Sequence, residues 1–170
     1  MSVPGQPTAT PVDTGKVVGR RKLKFDSIDQ ALAEVDRLVE AERAGRLGHV
    51  GNWTLGQTLG HLASWAEYAY AGIPMKTPLV IKWILRLGKQ KFIHEPMRAG
   101  VKIPGVKGGT LATEPVPLDE ANGRIHSALA RLKSEAPTLV HPIFGTLTHD
   151  EWIAINLRHA ELHLGFHVPG

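Results

Sequence analysis

The clearest pattern along the chain is a recurrence of apolar residues at steps of three and four, and it begins abruptly at Ser27. Ile28, Ala31, Leu32, Val35, Leu38 and Val39 fall on one face of a 3.6-residue period with charged residues between them, which predicts a first helix ending near Gly45 or Gly48. Asn52-Trp53-Thr54-Leu55-Gly56-Gln57 opens a second. Thr54 is placed to cap the helix, and Gln57, three residues on, to reach back to the cap amide, so a helix is expected from about Leu55 to Ala71. Ala121, Ile125, Leu129 and Leu132 mark another from Leu118 to about Glu135, stopped by Pro137. After the turn His141-Pro142-Ile143-Phe144-Gly145, Thr148 and Glu151 repeat the capping-box spacing ahead of a last long helix, from about His149 to Gly165.

The segments between these helices are less regular. Residues 1–24 are rich in Pro, Gly, Thr and Val without a period, and are expected to form a flexible arm or extended lead-in. From Pro74 to Pro117 the chain is irregular apart from one expected helical stretch, Leu79 to Ile93, and then a Gly/Pro-rich loop from Gly100. No strands or internal repeats are evident. The expected architecture is all-α: a four-helix bundle over residues 25–170, with the insertion 74–117 between the second and third bundle helices. A length of 170 residues suits one such domain.

Composition narrows the chemistry. The apolar share of 42% is that of a globular chain, and the absence of cysteine excludes disulfides, thiolate metal sites and cysteine nucleophiles. Any metal must therefore be held by nitrogen and oxygen. Met1 to Lys24 lacks an apolar signal core, and the residues after Arg20-Arg21 are charged, so a cytoplasmic location is expected. The net charge of +4 and pI near 9.5 raise the possibility of an anionic partner. The basic residues gather in the tail (Lys16, Arg20, Arg21, Lys22, Lys24) and in the insertion, without interleaved aromatics or a recognition motif, so nucleic-acid binding is not expected. Leu79 to Leu87 is too short and too charged to span a bilayer; a lid on the bundle is the preferred reading of that helix.

The candidate chemistry is histidine. In the last helix Trp152, Ile155, His159, Leu162, His163 and Phe166 share a face. The i, i+4 spacing of His159 and His163 stacks their imidazoles within about 6 Å, which suits two ligands of one ion. His61, mid-helix beside Leu59, Leu62 and Trp65, is the natural third. Three neutral imidazoles leave one position open, the pattern of catalytic rather than structural zinc. The opposing reading is that each is a core histidine satisfied by hydrogen bonding. His167 is either a fourth ligand or, preferably, a neighbour at the pocket mouth. Asn156, one turn before His159, serves either a ligand or a core carbonyl, and Trp65 and Trp152 complete the possible pocket. His49, His94, His126 and His149 read as surface or cap residues, and His141 as a turn residue.

The run Asn52-Trp53-Thr54-Leu55-Gly56-Gln57-Thr58-Leu59-Gly60-His61-Leu62, with His159-x-x-x-His163, resembles the DinB-like superfamily of four-helix bundles. His141 to Thr148 with Glu151-Trp152 resembles a branch of it known only as a domain of unknown function. The resemblance implies one divalent ion, zinc or nickel first, on His61, His159 and His163, and a homodimer. It further implies a metal-dependent enzyme acting on a small molecule, with thiol transfer to an electrophile first and hydrolysis second. No carboxylate base is evident on the core faces, which weakens hydrolysis. The alternative is a non-catalytic, stress-related metal- or ligand-binding bundle. Substrate choice is expected to come from the insertion, through Trp83, Phe92, Lys89, Lys91 and Arg98, the cations attracting an anionic substrate or thiol cofactor.

Overall fold

A computed structural model describes residues 11–74, 85–103 and 106–170. The protein is mostly helical, with little sheet. Four long helices carry the core: α1 (Ile28–Arg43), α2 (Leu55–Ala71), α4 (Leu118–Ser134) and α5 (His149–Leu164); the short α3 (Lys89–His94) lies between α2 and α4. Their buried stripes meet in one apolar cluster that includes Val35 and Leu38 of α1, Leu55, Leu59 and Leu62 of α2, Ile125, Leu129 and Leu132 of α4, and Trp152, Leu157 and Leu164 of α5. The apolar residues predicted for α1 and α4 are buried or packed against that cluster. Among the described residues no helix is long and apolar enough to cross a membrane.

The helix starts are set by their caps. Ser27 accepts from the Gln30 amide at α1, and Thr148 with Glu151 forms a complete capping box at α5. Thr54 caps α2 by accepting from the Gln57 amide at 3.2 Å, but the Gln57 side chain does not turn back as expected. It donates instead to the Thr113 carbonyl at 2.8 Å, outside the helix. The chain entering α4 crosses α2 closely at Gly56 and Gly60. A Cβ on Gly56 would collide with the Val116 carbonyl oxygen, and one on Gly60 would lie 2.7 Å from Val116 Cγ2.

One expectation is corrected and another is narrowed. The chain does contain strands: β1 (Leu47–His49) pairs antiparallel with β2 (His167–Pro169), His49 opposite His167. At three residues each, they are too short to show alternation in the sequence. Of the two readings of residues 1–24, the described part from Arg20 onward follows the extended lead-in, held on the helices, and not the flexible arm. The Arg21 amide donates to the Gly165 carbonyl at 2.8 Å, and its guanidinium reaches the carbonyls of His167 and Leu164 and the carboxylate of Glu34 at 2.6, 3.2 and 2.6 Å. Arg20 donates to the Leu162 carbonyl. Two cations thus serve the carbonyls at the C-terminal end of α5, the end where positive charge is favoured. Residues 1–10 of the arm lie outside the described residues, as do residues 75–84, which include Trp83 and the first part of the helix expected from Leu79.

Candidate metal centre

α2 supplies His61, and α5 supplies His159 and His163 one turn apart. Each offers a ring nitrogen, and the three nitrogens lie within 4.8 Å of one another. The rings pack edge to face, with centroids 5.0 Å apart for His61–His159, 4.7 Å for His61–His163 and 4.6 Å for His159–His163. His61 is buried, and the two α5 histidines are partly exposed.

The His61 ring has a determined orientation. Its Nδ1 faces the Leu111 carbonyl at 2.9 Å and the Ala112 carbonyl at 3.3 Å. A carbonyl can only accept, so Nδ1 carries the proton and Nε2 presents its lone pair to the other rings. His61 Nε2 and His159 Nε2 stand 3.2 Å apart. Two nitrogens at 2.0–2.1 Å from a tetrahedral ion are separated by about 3.3 Å, so the pair already has ligand spacing. Protonation states agree with that use. Burial holds His61 down at about 4, against two raising carbonyl bonds. Burial, with the other histidines adding to it, holds His159 and His163 well below the usual range. All three are neutral at pH 7, which is the ligating form. The donor set therefore fits a divalent ion. Without an ion, one of the facing Nε2 atoms must donate to the other, and the proton falls to His159.

Indole rings wall the cluster. Trp53 stacks on His163 at 5.2 Å and 8° and touches His61 at 4.8 Å, while Trp65 meets His159 edge-on at 5.3 Å. The Trp65 indole N–H is buried, with no hydrogen-bond partner among the described residues.

The remaining pocket candidates lie elsewhere. Asn156 donates to the Trp152 carbonyl at 3.0 Å and borders a small internal cavity with Leu62, Leu129 and Leu164, on the core side of α5. Trp152 is buried against His141 at 5.3 Å. His167 does not join the three-histidine group. It sits on β2, fully buried, bonded to Thr58 Oγ1 and to His49 Nδ1 at 2.8 Å each. It is thus a neighbour held by its own partners, and burial takes its pKa down to about 3.

Sequence reasoning missed several residues here. Trp53 was legible only as part of a helix-entry motif. His49, read as a surface residue, bonds to buried His167, and His141, read as a turn residue, is buried, with its Nδ1 accepting from the amides of Ile143 and Phe144. For segment 111–113 the only signal was the length of the loop it belongs to, which suits a loop that is functional, mobile or packed over a site; the small residues Gly56 and Gly60 could have shown where it approaches α2. A carboxylate is buried on α5 after all: Glu161 accepts from the Phe25 amide and pairs with Arg158, each at 2.6 Å. It is committed to the lead-in. Of the insertion's cations, Lys89 pairs with Glu151 at 2.8 Å, whereas Lys91 makes only a long, exposed pair with Glu95 at 3.7 Å. Lys89 is thereby tied to the start of α5.

No curated protein and no solved structure matches the chain. A family model described as "Protein of unknown function (DUF1569)" matches residues 18–170, which take in the end of the lead-in, all the long helices and every histidine of the site, so the chain belongs to that family.

Proposed function

We propose that this protein is a metal-dependent enzyme built as a four-helix bundle of DinB-like type with an insertion between α2 and α4, its ion held by His61, His159 and His163. The observation that carries this reading is the convergence of three neutral imidazole nitrogens from two helices, one already turned inward by a carbonyl on its far side. When bound, a zinc or nickel ion supplies Lewis acidity at a coordination position the protein leaves open. The chain's own groups do the rest. Trp53 and Trp65 pack against the imidazoles, and the Trp65 N–H, which has no partner among the described residues, suits an acceptor atom on a small ligand.

Thiol transfer to an electrophile is the first reaction to examine, because a thiol loses its proton on binding a metal and needs no protein base. Hydrolysis is second, since the one buried carboxylate on α5 is engaged with Phe25 and Arg158. The same feature favours the alternative of a non-catalytic binding bundle. The proposal further holds that the protein acts in the cytoplasm as a homodimer. Its test is turnover of zinc- or nickel-loaded protein with a panel of low-molecular-weight thiols and an aromatic halide. Product formation lost in His159→Ala supports the enzyme; metal bound with no turnover on any thiol, ester or amide supports the binding bundle.

A further inference from the structure

The residues before α4 lie along α2 as a strap, and the contacts between them are concentrated at one place. Gln57 Nε2 donates to the Thr113 carbonyl at 2.8 Å. One turn further along α2, His61 Nδ1 donates to the Leu111 carbonyl. Val116 occupies the notch left by the missing side chains of Gly56 and Gly60. Between these anchors Ala112 takes φ 54°, the only positive value among the described non-glycine residues. The left-handed conformation is unfavourable for an L-residue and persists only where its surroundings enforce it. Here it accompanies two successive carbonyls, Leu111 and Ala112, both facing the same ring nitrogen.

We propose that Gln57 is a positioning residue for the metal centre: it docks the strap, and the docked strap fixes the tautomer and direction of the His61 ring. The inference rests on the metal-binding reading above. Free histidine side chains favour the proton on Nε2, the nitrogen that must be bare to ligate. The Leu111 carbonyl reverses that preference, and Gln57 keeps the carbonyl in place without touching any of the three imidazoles. Groups that hold the far nitrogen of a ligating histidine govern metal affinity in this way. The insertion therefore contributes its final residues, 111–116, to building the centre.

Two readouts test this, one of them independent of metal. In metal-free wild-type protein, nitrogen-15 NMR of the imidazoles is expected to show His61 in the Nδ1–H form. Gln57→Met, which keeps length and apolar bulk but cannot donate, is expected to populate both tautomers, and Gln57→Lys, which retains a donor, to restore the first. Zinc affinity, measured by competition with a chromophoric chelator, is expected to fall about 10- to 100-fold in Gln57→Met, with metal-free melting temperature compared alongside. Val116→Ala loosens the strap from the other end and is expected to act in the same direction, so the test survives if one variant fails to fold. A single His61 tautomer and unchanged zinc affinity in both Gln57→Met and Val116→Ala overturn the positioning role. Wild-type protein that binds no zinc overturns the metal centre itself, and is distinguished by a His61 tautomer that still responds to Gln57.

Discussion

Gly56, Gly60 and Gly123 are all helical, and replacing each by Ala separates helix propensity from close packing. Alanine is favoured over glycine by about 1 kcal/mol in a helix interior. At Gly123, exposed on α4, a Cβ meets nothing within 4 Å, so the full gain is expected. With about 2–4 °C per kcal/mol for a chain of this size, Gly123→Ala should raise Tm by roughly that amount. At Gly56 the Cβ would strike the Val116 carbonyl oxygen and approach Leu118 N at 3.3 Å. Both are backbone atoms and cannot rotate away, so the strap itself must move. Overpacking of this kind costs about 1–3 kcal/mol, and the propensity gain is smaller in the first turn, so the clash wins. A net loss of about 1–2 kcal/mol, or about 2–8 °C, is expected. Gly60→Ala, opposed by a side-chain methyl rather than backbone, should fall between the two. Urea titrations of the three variants give the order directly. Equal stabilisation by all three would refute the claim that the strap sits against α2.

Other parts of the structure set further expectations. His141 is expected to add to the protein's acid sensitivity: burial lowers its folded pKa to about 4 from 6.5, so its contribution to stability is constant above pH 6.5 and falls between pH 6.5 and 4 as the unfolded chain takes up a proton that the folded one refuses. The loss from this one group is on the order of 3 kcal/mol, and His141→Gln should make that part of a stability–pH curve less steep, the other buried histidines keeping the rest of the slope; an unchanged slope would contradict it. Arg21→Ala removes donors from the Leu164 carbonyl at the end of α5, from the His167 carbonyl on β2 and from Glu34, and should cost about 2 kcal/mol by urea titration. Arg37→Ala, which removes an exposed partner of the same Glu34, should cost about 0.5 kcal/mol or less, and equal losses would mean that Arg21 does not clamp α5. Lys89→Glu sets two carboxylates together at the capping box of α5 and should lower Tm, whereas Lys91→Glu should not.

The helices were legible because their signals are local. Three- and four-residue periodicity placed α1, α4 and α5, the Thr54 cap placed α2, and the Thr148–Glu151 box fixed the start of α5. The three histidines were legible for the same reason, two by i, i+4 spacing and one by its place on an apolar face. Contacts between residues far apart in sequence escaped. Gln57 with Thr113, His61 with Leu111 and His49 with His167 are separated by 56, 50 and 118 positions. Periodicity carries no information about such pairs. Gln57 was misread because a capping box and an outward hydrogen bond place the same residue at the same spacing. Of the two readings of residues 1–24, flexible arm or extended lead-in, composition could not choose, because whether such a segment is held depends on partners distant in sequence, here the carbonyls at the end of α5 that Arg20 and Arg21 reach.

The central claim is that His61, His159 and His163 act together on one ion. Metal-free protein dialysed against zinc or nickel, freed of excess metal and measured by elemental analysis should carry about one ion per chain. His159→Ala and His163→Ala should each reduce this to background, while His126→Ala, at an exposed histidine paired with Asp36, should leave it unchanged. Wild-type protein without stoichiometric metal, or a His159→Ala variant that retains it, would contradict the account.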